Sequence, residues 1–397
     1  MTLLYLTAFA CAITSGAVAK WKIGGIEYIY YLMAIVMFSY LYHIIKHRTI
    51  PLDSCTIRML KFEIWAGFIV VLSMCGVMAR FASEELMINL RYVPRQAFYL
   101  VFLPAILLMA RDKRTGRIHA FVKKHINAVW FTVYFLHLLY RHDFSLFVQA
   151  TFLLSYLTLL NVDKTGSVNP IHVILIILTP IAHGGEITNL LLRGAFLLYV
   201  LFYKKGKIIN KWMGAGVVAM IAAMFILPFI NPVYELPMGV NSLWRLFYWK
   251  DELTELIKTD FIGLGYGTAY ATLPFLRDPF KGYIFGGPGY DPIHEAFVTG
   301  PHNSFISVAF RLGIIGIVLF FMLITQMWKS LRRAGLNSRR YAFIGILIIA
   351  GFNVGLESPA YLPLIILGLS CCTGLGVQKA VERPGIINKA DIRNTTR

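Results

Sequence analysis

Charge is what this chain is short of. Of its 397 residues only 15% are Asp, Glu, Lys or Arg, against about a quarter in soluble domains. Meanwhile 57% are apolar and mean hydropathy is +0.65. So little charge cannot keep that much apolar surface in water, which excludes a soluble enzyme and a disordered chain. Cysteine is also scarce. Cys11, Cys55, Cys75, Cys371 and Cys372 lie in apolar runs or one basic loop, which excludes a disulfide-stapled secreted scaffold. No CxxC, HExxH or P-loop pattern occurs, and the ten histidines have no metal-ligand spacing. No metal or other cofactor is therefore expected. Internal repeats and low-complexity tracts are missing as well.

What the chain has is apolar runs from end to end, many of the roughly 17–25 residues that cross a hydrocarbon core. They predict an all-α polytopic membrane protein with about twelve transmembrane helices. Residues 1–230 carry helices one to nine, 231–301 form one large outer loop, 302–377 carry helices ten to twelve, and 378–397 form a polar tail. The segment from Pro170 to His183 is short and contains Pro180, so it reads as a broken or re-entrant helix. Residues 1–19 end in Ala17-Val18-Ala19, which fits a signal-peptidase site. No positive region precedes them, so they read as the first span.

The net charge of +18 speaks for orientation rather than for nucleic acid. Most Lys and Arg residues fall in the short loops after even-numbered segments. By the positive-inside rule both termini are then cytoplasmic and the 231–301 loop faces outward. The first half of that loop, Ser242 to Thr259, predicts an amphipathic helix. Ser242 is its N-cap, and Leu243, Phe247, Leu253 and Leu256 share its apolar side. Asp251 and Glu252 lie on its exposed side, and Gly263 and Gly265 end it. The Gly-, Pro- and aromatic-rich second half reads as a mobile, substrate-facing loop.

Three residues stand out chemically. Arg193 lies about six residues inside the outer end of its span, roughly 9–10 Å below the surface at ~1.5 Å per residue. A charge there is costly and marks a functional site, unless it snorkels or neutralises Glu186. Arg245 stands among Trp244, Tyr248 and Trp249, where its planar fork suits an oxyanion such as phosphate. An interfacial aromatic belt with an incidental Arg is the alternative. His302 opens the tenth span, where a helix N-terminus disfavours a second positive charge and keeps the imidazole able to accept a proton. A capping role, shared with Pro301 and Asn303, is its other reading. Secondary candidates are Asn303, His183, Glu186, Arg91 and Arg95, for the last four of which loop solvation is an equal explanation.

In chain order these residues resemble the bacterial O-antigen polymerase/O-antigen ligase superfamily of integral-membrane glycosyltransferases. The family's Arg-x3-Leu motif is matched by Arg193 to Leu197. Its Arg-aromatic helix and Gly-x-Gly turn are matched by Trp244 to Trp249 and Gly263-Leu264-Gly265. Its His-Asn pair opening a span is matched by His302-Asn303 with Leu312-Gly313-Ile314-Ile315-Gly316. Two positions depart from the pattern: Leu192 stands where many members have a small polar residue, and Arg311 where many have an acidic one.

The resemblance implies a metal-independent, inverting glycosyltransferase of the bacterial inner membrane. Its donor is a glycan on undecaprenyl diphosphate, and Arg193 and Arg245 bind the diphosphate. His302 is general base for an acceptor sugar hydroxyl. A polysaccharide polymerase is the leading expectation. A ligase acting on lipid A-core is the close alternative, and a lipid-linked sugar transporter or flippase the distant one. Other expected partners are membrane lipids and a chain-length regulator; nucleic acid is not.

Overall fold

A computed structural model describes residues 86–97, 120–139, 144–179, 186–237, 239–282, 291–334 and 337–352, with isolated positions before residue 72. Apart from two-residue strands β1 (Lys22–Ile23) and β2 (Ile26–Glu27), paired antiparallel with Lys22 opposite Glu27, the described elements are helical. These are α1 (Val93–Gln96), α2 (Ile126–Leu139), α3 (Phe144–Thr165), α4 (Pro170–Leu178), α5 (Glu186–Leu201) and α6 (Gly206–Ile226). They continue with α7 (Val240–Lys258), α8 (Leu273–Arg277), α9 (Pro292–Val298), α10 (Ser304–Ala334) and α11 (Asn337–Phe352). Lys211–Phe229, which runs from α6 through the turn after it, and Ser304–Met322 within α10 are long and apolar enough to cross a membrane. Of the predicted spans, 2–19 and 360–377 lie outside the described residues, as do most of 25–45 and 62–79; Ile26–Glu27, where the second span is expected to begin, is strand β2 and not helix.

α11 is the centre of the bundle. It packs against α3, α5, α6 and α10, and every residue from Asn337 to Gly351 is buried. A helix covered all round needs a small residue where a neighbour comes close. At Gly345 a Cβ would strike the Phe152 ring of α3. The start of α11 is tied down by polar groups: Asp163 accepts from the N–H groups of Asn337 (3.2 Å) and Ser338 (2.9 Å). Asn337 Nδ2 in turn donates to Tyr203 O at 2.9 Å. Those bonds gather the last turn of α3, the 203–205 turn and the start of α11 at one end, and with them Lys164, Lys204, Arg339 and Arg340. The far end of α11, about 24 Å away at ~1.5 Å per residue, meets α7 through Phe352 O.

Of the segment expected to be a broken or re-entrant helix, Pro170 to Thr179 is described. α4 begins with Asn169, whose side chain accepts from Ile171 N (3.0 Å), followed by Pro170, and it ends at Leu178, before Thr179-Pro180. Proline disfavours helix at the residue before it, and Thr179 is accordingly extended.

Between α6 and α10 the structure corrects several expectations. α7 starts at Val240 with Gly239 as N-cap and no side-chain cap bond, so Ser242 sits inside its first turn. It ends at Lys258, well before Gly263, through left-handed Asp260 and Phe261. Asp251 and Glu252 are not on an exposed side: Glu252 is fully buried and Asp251 half-buried. α7 is covered on more sides than its periodicity suggests, by the Leu227–Phe229 turn, by residues 270–276 and by α10. The described part of the second half is packed, with Tyr266 to Ala271 buried. Ala269 N donates to Met87 O and Tyr270 N to Ala296 O. Residues 283–290 lie outside the described residues.

Candidate functional site

α10 carries the centre of the site. Asn303 caps it, its Oδ1 accepting from Phe305 N (3.0 Å) and Ile306 N (3.1 Å), so two orphan donors of the first turn are satisfied. Its Nδ2 is buried with no hydrogen-bond partner among the described residues. On the other flank, Trp249 Nε1 of α7 donates to Pro301 O at 2.6 Å. His302 is thus pinned on both sides, and its φ of 55° is one few non-glycine residues adopt. Such strain persists only where the surroundings enforce it, and it clusters at functional sites. The Trp244 ring meets the imidazole edge-on, with centroids 6.0 Å apart.

Arg245, one helical position from Trp244, places Nη2 3.4 Å from His302 Nδ1 and donates from Nη1 to Phe352 O at 3.0 Å. It therefore stands at the C-terminal end of α11, where the last carbonyls make a cation favourable. Burial first, and the Arg245 charge second, push the His302 imidazole down to about 3. Both effects favour the neutral ring.

Arg193 is buried on α5 and caps the broken helix. Nη1 donates to Ile177 O (3.0 Å) and Nη2 to Thr179 O (2.6 Å), which are carbonyls at the end of α4. A helix that stops inside a bundle leaves such carbonyls orphaned, and a forked cation satisfies two at once. Nε has no partner among the described residues. Arg193 is not brought to the Arg245–His302 pair by any described contact. Its neighbour Leu192 sits between Tyr341 and Gly345 of α11, whereas Arg245 caps Phe352, at least seven residues on. That is about 10 Å along the axis.

The weaker candidates fall elsewhere. Arg91 and Arg95 sit on the 90–96 stretch, exposed and half-buried respectively. That stretch is anchored by Gln96, which donates to Thr268 O and Phe297 O and accepts from Gly267 N at 2.8 Å. Glu186 opens α5, its side chain lying outside the described residues, as does all of His183.

Arg311, noted in the sequence only as a departure from the family pattern, has a structural role that sequence reasoning did not assign. Buried in α10, its Nη1 donates to Gly265 O (3.0 Å), Thr268 O (2.8 Å) and Thr268 Oγ1, and its guanidinium lies 4.0 Å from the Tyr270 ring centroid. It locks the Gly-x-Gly turn onto the span that bears His302. Its signal lies in the sequence, where Arg311, like Arg193, is a charge inside an apolar run.

The same turn explains the glycines. Leu264 N donates to Phe310 O, Gly265 N to Arg311 O, and Ile314 N to Phe261 O. The backbones touch there: a Cβ on Gly263 would fall on Gly313 N, and one on Gly313 on Phe261 O. Gly313 itself interrupts α10 with φ 66° and ψ −162°. The two glycine motifs are two halves of one contact.

Residues 171–321 match the family model described as O-Antigen ligase. A comparison with the curated proteins finds no match. The matched range holds Arg193, Arg245, His302 and Asn303 and leaves out Arg91 and Arg95. That match supports the resemblance of this stretch to the O-antigen polymerase/ligase superfamily of membrane proteins.

Proposed function

We propose that this chain is a glycosyltransferase that polymerises a surface polysaccharide, taking glycan from an undecaprenyl-diphosphate-linked donor at the outer face of the bacterial inner membrane. The observation that carries the reading is the Arg245–His302 pair, a guanidinium 3.4 Å from a neutral imidazole, each held by its neighbours. In the reaction an acceptor sugar oxygen attacks the anomeric carbon and its proton passes to His302. The bond from that carbon to the phosphate oxygen breaks, and its electron pair leaves with the diphosphate. Arg245 opposes the charge that develops on the sugar-proximal phosphate.

Arg193 meets the lipid-proximal phosphate from deeper in the bundle. A phosphate oxygen there competes with the Ile177 and Thr179 carbonyls, and it adds an anionic acceptor that the guanidinium fork can meet bidentately, which a neutral carbonyl cannot offer. Asn303 Nδ2 adds a donor beside the base. Direct displacement inverts the anomeric centre.

The description of the matched family favours a second reading, transfer of finished glycan to lipid A-core. One assay separates the two. Purified protein is given a synthetic undecaprenyl-diphosphate-linked repeat unit in the presence of EDTA. Release of undecaprenyl diphosphate with a ladder of longer lipid-linked glycans establishes the polymerase. Turnover only after lipid A-core is added makes it the ligase, and no turnover with either acceptor overturns both.

A further inference from the structure

Arg245 and His302 are closer to each other than a free base and a free anion clamp need to be. A guanidinium has donors and no acceptor. In the contact between Nη2 and Nδ1, the imidazole nitrogen must therefore be the acceptor. A neutral imidazole accepting at Nδ1 carries its proton on Nε2. At rest, then, the one lone pair able to take a proton points into a cation, and the other nitrogen is already protonated. The base is present but covered.

The backbone that carries the imidazole is held on both sides. Trp249 holds the carbonyl before it, Asn303 holds the helix turn after it, and Trp244 stands against its ring. The arginine is held more lightly at this contact, since 3.4 Å is long for a hydrogen bond whose usual N···O length is about 2.9–3.0 Å. A phosphate oxygen offers Nη2 a charge-assisted bond in its place.

We propose that Arg245 latches His302 in the resting protein and that a diphosphate releases it, so that Nδ1 is the atom that takes the acceptor's proton and donor binding precedes acceptor activation. This rests on the diphosphate reading of Arg245 given above. On release the Nδ1 lone pair accepts the hydroxyl proton as the new glycosidic bond forms, giving an imidazolium with N–H at both positions. The proton is returned to water when the diphosphate departs, and Arg245 closes on Nδ1 again. A covered base also prevents water from being activated against the donor's anomeric carbon before the clamp is filled.

The test is histidine nitrogen NMR of 15N-His-labelled protein in lipid nanodiscs, the His302 signals being those absent from His302→Asn. In the resting protein Nε2 should carry the proton and Nδ1 should not. Added undecaprenyl diphosphate should shift the Nδ1 signal to that of an unbonded lone pair, and in Arg245→Gln the signal should start there and ignore the lipid. A proton on Nδ1 at rest overturns the latch. So does an unmoved Nδ1 signal while a separate sedimentation assay shows undecaprenyl diphosphate bound through Arg245; in that case the diphosphate reading survives and the latch alone fails. If the lipid does not bind wild-type protein, the diphosphate reading fails and the latch falls with it. The wild-type titration decides the matter even if Arg245→Gln folds poorly.

Discussion

At the scale of single residues, the surroundings of His302 set its pH behaviour. Burial and Arg245 hold it near 3, well below the usual histidine range of about 6.5. The acid limb of kcat/KM should therefore lie far below pH 6, and Arg245→Gln should move it upward by removing the neighbouring charge. Linkage gives the stability sign: a depressed imidazole is fully compatible with folding above about pH 6.5, and stability is lost as pH falls from there toward 3. Asp251 has the opposite sign. Burial, partly offset by the Thr272 N–H and hydroxyl bonds at 3.0 and 2.9 Å, raises its carboxyl to about 6. Its contribution is present below about pH 4 and lost as pH rises through 6. Proteolytic nicking near Thr272 should accordingly increase between pH 4 and 7, and Asp251→Asn should flatten that dependence. For catalysis, His302→Ala should lower chain growth by roughly 10²–10⁴-fold at unchanged membrane abundance. Arg193→Lys keeps the charge but loses the fork; turnover should fall about tenfold or more, whereas near-normal turnover would reduce Arg193 to charge balance.

Among the elements, the break in α10 at Gly313 is the most sensitive point. Gly313→Ala places a Cβ on the Phe261 carbonyl in a backbone conformation that already disfavours side chains. A loss of about 2–3 kcal/mol or more is expected, read as a lower melting temperature of the detergent-solubilised protein. Gly166→Ala is the control: φ is 72° but nothing lies within 4 Å, so only about 1 kcal/mol of backbone strain applies. These elements also show what the sequence could carry. The order of motifs, the broken α4 and the existence of α7 were legible, because proline, glycine and apolar periodicity act locally. The burial of Asp251 and Glu252 was not. Periodicity predicts one covered face, and here residues 270–276 wrap a second face from outside the helix. The Gly-x-Gly turn read as a helix stop for the same reason. Its glycines answer to Gly313, some fifty residues away, and no local pattern contains that contact. What Arg311 holds was not legible either, because its acceptors, Gly265 O and Thr268 O, belong to that same distant turn.

For the whole molecule, the remaining question is where the bilayer begins, and the exposed apolar side chains answer it. From Ser304 to Gly313 every residue of α10 is buried; just beyond, Ile314 is 56% and Ile315 63% exposed, with Val318 and Met322 continuing the same face. Beside them the turn after α7 exposes Phe261 (46%) and Ile262 (60%), joined to α10 by the bond from Ile314 N to Phe261 O. Apolar side chains exposed together over a backbone whose Phe261 and Ile262 N–H groups are already bonded, to Leu256 O and Thr259 O, suit hydrocarbon, which tolerates no unpaired backbone. A hydrocarbon edge is then expected near Gly313, inside the apolar Ser304–Met322 stretch, with α10 before it enclosed by protein. His302 stands about 14–16 Å further along that helix; on the proposed function an acceptor sugar would reach it there from water, and Arg193 would meet the lipid-borne phosphate below. A spin label at Phe261→Cys, in a background with the five native cysteines replaced and the protein in nanodiscs, checks the placement. Its relaxation should respond to oxygen and ignore a water-soluble nickel chelate, matching a label at Ile315→Cys and contrasting with one at Ile293→Cys on the exposed side of α9. If the label at 261 answers to nickel as the one at 293 does, the edge lies deeper along α10 and the whole Arg245–His302 pair moves out of reach of a membrane-anchored diphosphate.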